Sequence, residues 1–193
     1  RGSVSLYQGE ELGLTEAELE AEHLRDPFGI AYWPEFRGRD GSRTPIPWQA
    51  AAPHGGFTTA PQPWLPVPEA HYALAVDRLE EDQGALLHAF RRFLAWRSTH
   101  PALIHGSFHP LDLPEPFVGF IRADASDRIA AIFNLGDAPA VFDAGGLGGI
   151  RPLPESGFAA ELDGRDICLQ AYAAFFGALE SVSGDETRAL ATA

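Results

Sequence analysis

The chain has 193 residues, 45% of them hydrophobic and 21% charged, enough for one domain or one and a half and ordinary for a soluble globular protein. Twenty-seven acidic against 14 basic residues give a formal charge of -13, which argues against nucleic acid or an anionic membrane as partner, since both need clustered Lys and Arg. No apolar stretch approaches the ~20 residues that span a bilayer, and the single cysteine, Cys168, excludes an internal disulfide and a Cys-based metal cage, as fits a reducing, cytoplasmic compartment.

The first predicted element is a short strand carried by Val4, Leu6 and Tyr7 that runs into Gly9. The chain contains no methionine, and this strand has no polar lead-in, cap or leader, so the sequence reads as cut within a folded domain. A long proline-rich loop follows over 15–68, of a length expected in a compact domain only where the loop is functional. Within it, Thr15 followed by Glu18 has the form of a capping box and predicts a helix over 16–23, and Asp26-Pro27 predicts a second helix start. A short helix over about 73–81 is separated by Asp82, Gln83 and Gly84 from a longer one, where Leu86, Leu87, Phe90, Phe93, Leu94 and Arg97 recur at helical steps. Pro101 marks its stop and the expected domain boundary.

Beyond residue 101 the pattern turns to short apolar or alternating runs over 104–109, 117–122, 129–133 and 140–143, the signature of an antiparallel sheet. Gly145, Gly146, Gly148 and Gly149 predict a flexible turn, and 167–172 one more strand. Residues 173–179 are apolar without a clear period, and 181–193 read as a loose tail.

Two segments carry chemistry. Tyr7-Gln8-Gly9-Glu10-Glu11-Leu12-Gly13-Leu14 and Gly38-Arg39-Asp40-Gly41-Ser42-Arg43-Thr44-Pro45-Ile46-Pro47-Trp48 together resemble the α-amylase-type glycoside hydrolases (family 13), in particular their α-glucosidase branch. Asp26-Pro27-Phe28-Gly29-Ile30, Tyr32-Trp33-Pro34-Glu35-Phe36, Pro63-Trp64-Leu65-Pro66-Val67 and Phe93-Leu94-Ala95-Trp96-Arg97 extend the resemblance in the same order over about 1–135. Family members usually have methionine at Ile46 and often cysteine at Ser42. The resemblance implies α/β followed by all-β architecture: the tail end of a (β/α)8 barrel over 1–101, with the last strand, a long active-site loop and the last helices, then a small antiparallel β-sandwich over 102–180. In such barrels the loop after a strand faces the active site.

Retaining glycosidases use two carboxyl groups about 5 Å apart. The resemblance puts these, and a third aspartate, on earlier barrel strands, so no catalytic residue is assigned within this chain, and Glu10 and Glu11 are assigned hydrogen-bonding or ion-pair roles in the scaffold. What the family pattern does place here is the wall of the glucose pocket. Arg39 resembles the arginine that bridges to an aspartate of an early loop and closes the non-reducing end, making the enzyme exo-acting; a guanidinium fork suits both tasks. Arg43 is expected to brace Asp40 or reach the second sugar site. Glu16 falls where some related α-glucosidases contact the sugar beyond the cleaved bond, although the helix-cap role explains it equally well. Trp48 and Trp64 are expected to pack inside and pin the loop.

The expected substrate is a short oligosaccharide with terminal α-linked glucose, with no cofactor and no metal, since the histidines show no HExxH spacing. Trehalose synthase or another glucosyl-transferring relative shares the Arg-Asp-Gly-x-Arg-Thr-Pro run and stays open. So does a non-catalytic carbohydrate-binding or assembly module built on the β-region alone.

Overall fold

The computed structural model describes residues 2–158 and 160–180, and the expected tail at 181–193 lies outside them. The described residues form two compact units, one of residues 5–91 and one that joins residues 2–4 to 92–158 and 160–180.

The unit of residues 5–91 is mostly loop with short helical turns. The expected strand at 4–7 is not formed: these residues have no regular structure and pair with no strand among the described residues, and Leu6 and Tyr7 are exposed. A 3-10 turn, Glu10–Leu12, opens at Gly9, whose amide donates to the Glu11 carboxylate at 2.8 Å; this gives Glu11 the hydrogen-bonding role expected of it. Helix α1, Pro27–Ala31, starts as predicted: the Asp26 side chain accepts from the Phe28 amide, with proline in the first turn. The helix predicted over 16–23 is not formed. Residues 14–20 have no regular structure, and only the 3-10 turn Ala21–His23 appears. The reason is tertiary: the Thr15 carbonyl is bonded by His71 Nε2 at 3.0 Å and the Ala17 amide by the Gly41 carbonyl at 3.0 Å, which removes groups a helix would use.

Helix α2, Val76–Glu81, matches the shorter predicted helix, and its first amides bond to the Pro47 and Trp48 carbonyls at 2.9 and 3.1 Å. Trp48 and Trp64 do not pack inside as expected; they are 49% and 68% exposed. The loop is pinned at Trp48 by its backbone, which also donates to the Gly55 carbonyl, and at Trp64 by the neighbouring Leu65, which is fully buried with Leu19 and Leu24. A second small core joins Leu12, Leu79, Ala85 and Leu87, with Ile46 packed against it.

Helix α3, Leu86–Ser98, spans the division between the two compact units, which falls at 91/92. Its second half belongs with the sheets because Phe93 and Trp96 stack on Phe176 at centroid distances of 5.5 and 5.3 Å. Arg97 donates to the Gly2 and Leu103 carbonyls, tying residues 2–4 to the same unit. Pro101 both ends the helical run and opens a further short helix, α4, Pro101–His105, so the first strand begins later than expected.

The strands are β1 (Ser107–Leu111), β2 (Phe117–Ala123), β3 (Arg128–Asn134), β4 (Ala140–Asp143), β5 (Ile150–Pro152), β6 (Glu161–Asp163), β7 (Asp166–Leu169) and β8 (Ala174–Leu179). All pairings are antiparallel, giving a five-stranded sheet in the order β1-β2-β3-β8-β5 and a three-stranded sheet in the order β4-β7-β6. Alternate residues separate the two faces of the larger sheet. Ile129, Ala131, Ala174 and Phe176 face Trp96 and Leu103, whereas Ile132 and Phe175 face Phe142, Ile167 and Leu169 of the smaller sheet. Where a flexible glycine turn was expected there is an ordered 3-10 turn, Ala144–Leu147, capped by Asp143.

Candidate functional site: an arginine loop clasped by buried aspartates

Two segments distant in sequence, 25–28 and 38–43, are joined by carboxylates. Asp40, 1% exposed, accepts the Arg25 and Asp26 amides on one oxygen at 2.5 and 2.6 Å. Asp26, 3% exposed, answers in the other direction: besides capping α1 through Oδ1, its Oδ2 accepts the Arg39 amide at 3.1 Å and Arg39 Nε at 3.3 Å. Two aspartates thus satisfy backbone donors of each other's segments, a use of buried carboxylates that fixes loop geometry without regular structure. Glycine makes the approach possible. Gly38 has φ +73°, and a Cβ there would lie 3.0 Å from the Asp26 Cβ and the Gly29 Cα.

The Asp26 carboxyl is held below the usual aspartate range, chiefly by the Phe28 amide and then by the side chain and amide of Arg39, against the opposing effect of burial. Arg43 Nη1 lies 3.9 Å from the same Asp26 oxygen. Arg43 therefore leans on Asp26 and not on Asp40, whose bonds go to backbone amides. The structure brings Arg39 and Arg43 together on one carboxylate, yet their side chains remain 66% and 40% exposed. Such a pair presents fixed, open guanidinium donors.

Glu16 is not part of this cluster. It lines a cavity of about 220 Å3 with Glu18, Leu19, Leu24, Arg37 and Gly41, which neither Arg39 nor Arg43 lines. Arg37 crosses that cavity's wall, 3.6 Å from Glu18 and 5.5 Å above the Trp33 ring. Gly41 is where the two regions touch: a Cβ there would come within 2.4 Å of the Ala17 carbonyl and 2.8 Å of Glu16 Cγ. The sequence reading took Asp26 only as a helix cap and missed it as the in-chain partner of Arg39, for which the sequence carries no local signal. Arg37 was missed altogether. Among the described residues no group of three or more His, Cys, Asp or Glu could hold a metal ion, and no helix is long and apolar enough to cross a membrane.

The model of the alpha-amylase catalytic domain matches residues 1–106, more than half of the chain, and includes the whole clasp. The chain belongs to the alpha-amylase family. Within that family it is 42% identical over 179 residues to a probable alpha-glucosidase of Rhizobium meliloti (strain 1021), covering 93% of this chain and 32% of the relative. It is 28% identical over 166 residues to probable oligo-1,6-glucosidase 3 of Bacillus subtilis (strain 168), covering 76% of this chain and 29% of the relative. Among solved structures, an alpha-glucosyl transfer enzyme, XgtA, superposes with TM-score 0.85 at 42% identity, over 91% of this chain and 32% of that one. A trehalose-6-phosphate hydrolase of Bacillus licheniformis, at 20% identity and TM-score 0.75, shares the fold. This alpha-amylase-family chain spans about a third of the length of these relatives. Its fold is the tail end of a (β/α)8 barrel followed by a small antiparallel β-sandwich.

Proposed function

We propose that the chain is the C-terminal part of a retaining, exo-acting α-glucosidase that releases terminal α-linked glucose from short oligosaccharides in the cytoplasm. The barrel part runs over 1–101 and the β-sandwich over 102–180. The observation that carries this reading is the clasp: Asp26, buried and with its own amide bonded to buried Asp40, pairs with Arg39 and Arg43, which stay exposed on the loop that the alpha-amylase family model covers. Arg39 donates to hydroxyls at the closed, non-reducing end of a glucose pocket, Arg43 supports it from the same carboxylate, and Glu16 accepts from hydroxyls of the sugar beyond the scissile bond. The nucleophile and the general acid/base belong to preceding barrel strands, so this chain supplies binding and orientation and no bond-breaking group.

The test is turnover of p-nitrophenyl α-glucoside and maltose by the full-length polypeptide that carries this chain, beside the 193-residue chain alone. The full-length protein is expected to release glucose with retention of configuration, and the chain alone to be inactive. Turnover by the isolated chain, or attack by the full-length protein on internal bonds only, would refute the reading. The similarity to XgtA, called an alpha-glucosyl transfer enzyme, favours a second outcome in the same assay: transfer of the glucosyl group to an added acceptor in preference to water.

A further inference from the structure

We propose that His71 is a positioning residue for the sugar-binding loop: as the neutral tautomer protonated on Nε2, it fixes Thr15 and so sets where Glu16 stands at the cavity. The proposal rests on the α-glucosidase reading above. Residues 14–20 have no helix or strand to place them, so their position comes from tertiary bonds. Two such bonds flank Glu16. On one side the Thr15 carbonyl is bonded by His71 Nε2 at 3.0 Å, and on the other the Ala17 amide donates to Gly41. The Gly41 bond belongs to the clasp; the His71 bond comes from 56 residues along the chain, from the 3-10 turn Glu69–Leu74.

The histidine itself shows which function it serves. A carbonyl can only accept, so Nε2 carries a proton; at 3% exposure burial favours the neutral ring, in which Nδ1 is a bare acceptor. Among the described residues Nδ1 has no partner. A buried polar atom without a partner is destabilising, so a side chain kept only to fill that space would be better apolar. What imidazole offers there and a hydrocarbon does not is the Nε2 donor to Thr15. Burial also lowers the histidine's proton affinity, the Thr15 bond opposing, and keeps it in the neutral form this bond geometry uses.

The test uses the full-length protein, with His71→Phe to fill the space without a donor and His71→Gln to restore one. His71→Phe is expected to raise KM for maltose about tenfold with kcat little changed, and to leave inhibition by glucose, which occupies only the terminal site, unaltered. Deuterium uptake over 13–20 should quicken, and His71→Gln should recover both values. Glu16→Ala should give the same rise in KM, and the double variant His71→Phe/Glu16→Ala no more than either alone. Unchanged uptake over 13–20 in His71→Phe would overturn the anchoring. A rise in KM matched by an equal weakening of glucose inhibition, or additive effects in the double variant, would overturn the link to Glu16. Absence of maltose hydrolysis by the unaltered protein would remove the functional reading and this role of Glu16 with it, while the uptake comparison would still decide whether His71 holds Thr15.

Discussion

Arg39 reaches Asp26 through Nε, the inner edge of its fork, and two-thirds of the side chain stays open to solvent. The buried Asp26 end of the pair keeps the Phe28 and Arg39 amides as partners whatever side chain stands at 39, so the worth of the exposed end lies in holding the guanidinium ready for a ligand. In the full-length protein Arg39→Ala should lower kcat/KM on maltose by about 10²-fold, with Tm moved by no more than about 2 °C. Unchanged kinetics would make Arg39 part of the scaffold. Acid should act on this unit in two steps. The folded state holds His71 below its ordinary proton affinity, so acidification through the ordinary histidine range favours the unfolded chain, which takes up the proton more readily. The Asp26 carboxyl is also depressed; the stability it contributes is complete above the ordinary aspartate value and disappears as pH falls through its lower folded value. Tryptophan fluorescence followed from neutral to strongly acid pH should show both steps, and His71→Gln should lose the first while keeping the second. The motif made Arg39 and Arg43 legible as candidates. Their shared partner was not legible, because nothing local links Asp26 to a residue 13 positions on; the link exists only once Gly29 and Gly38 let the segments touch.

Elements whose determinants are local were readable, and those set by distant partners were not. Asp26-Pro27 starts α1 because cap, proline and the Phe28 amide lie within three residues. The same logic failed at Thr15 and Glu18, where His71 and Gly41 take the backbone groups first. β8 has residues buried on both faces of the sheet, so it shows a nearly continuous apolar run instead of alternation, which left 173–179 without a period. β5 and β6, three residues each, are too short to carry any pattern. The packing of α3 on this sheet depends on one side chain more than others: Phe176 meets Phe93, Trp96, Phe133 and Phe158. Phe176→Ala should cost about 3–5 kcal/mol by denaturant unfolding, whereas Val118→Ala, on an exposed face of β2, should cost far less.

At the scale of the whole chain, a charge of -13 works against precipitation, while the unit of residues 5–91 exposes Leu6, Tyr7, Phe28, Ile30, Tyr32 and Phe36. With only about a third of its relatives' length, the separate 193-residue chain should self-associate, giving light-scattering masses above that of a monomer that fall on adding mild detergent. A monodisperse monomer would mean those side chains find cover within the chain. The strand order carries one more implication, for the timing of synthesis. β8 is the last described strand, yet it lies between β3 and β5. On the ribosome the β1-β2-β3 meander can zip early, but its open border must wait for residue 179 to emerge before the slot is filled. A nonsense codon between Pro152 and Ala174 would therefore release a polypeptide with a gap at the middle of its larger sheet, β5 made but left without a neighbour, a substrate for quality-control proteases.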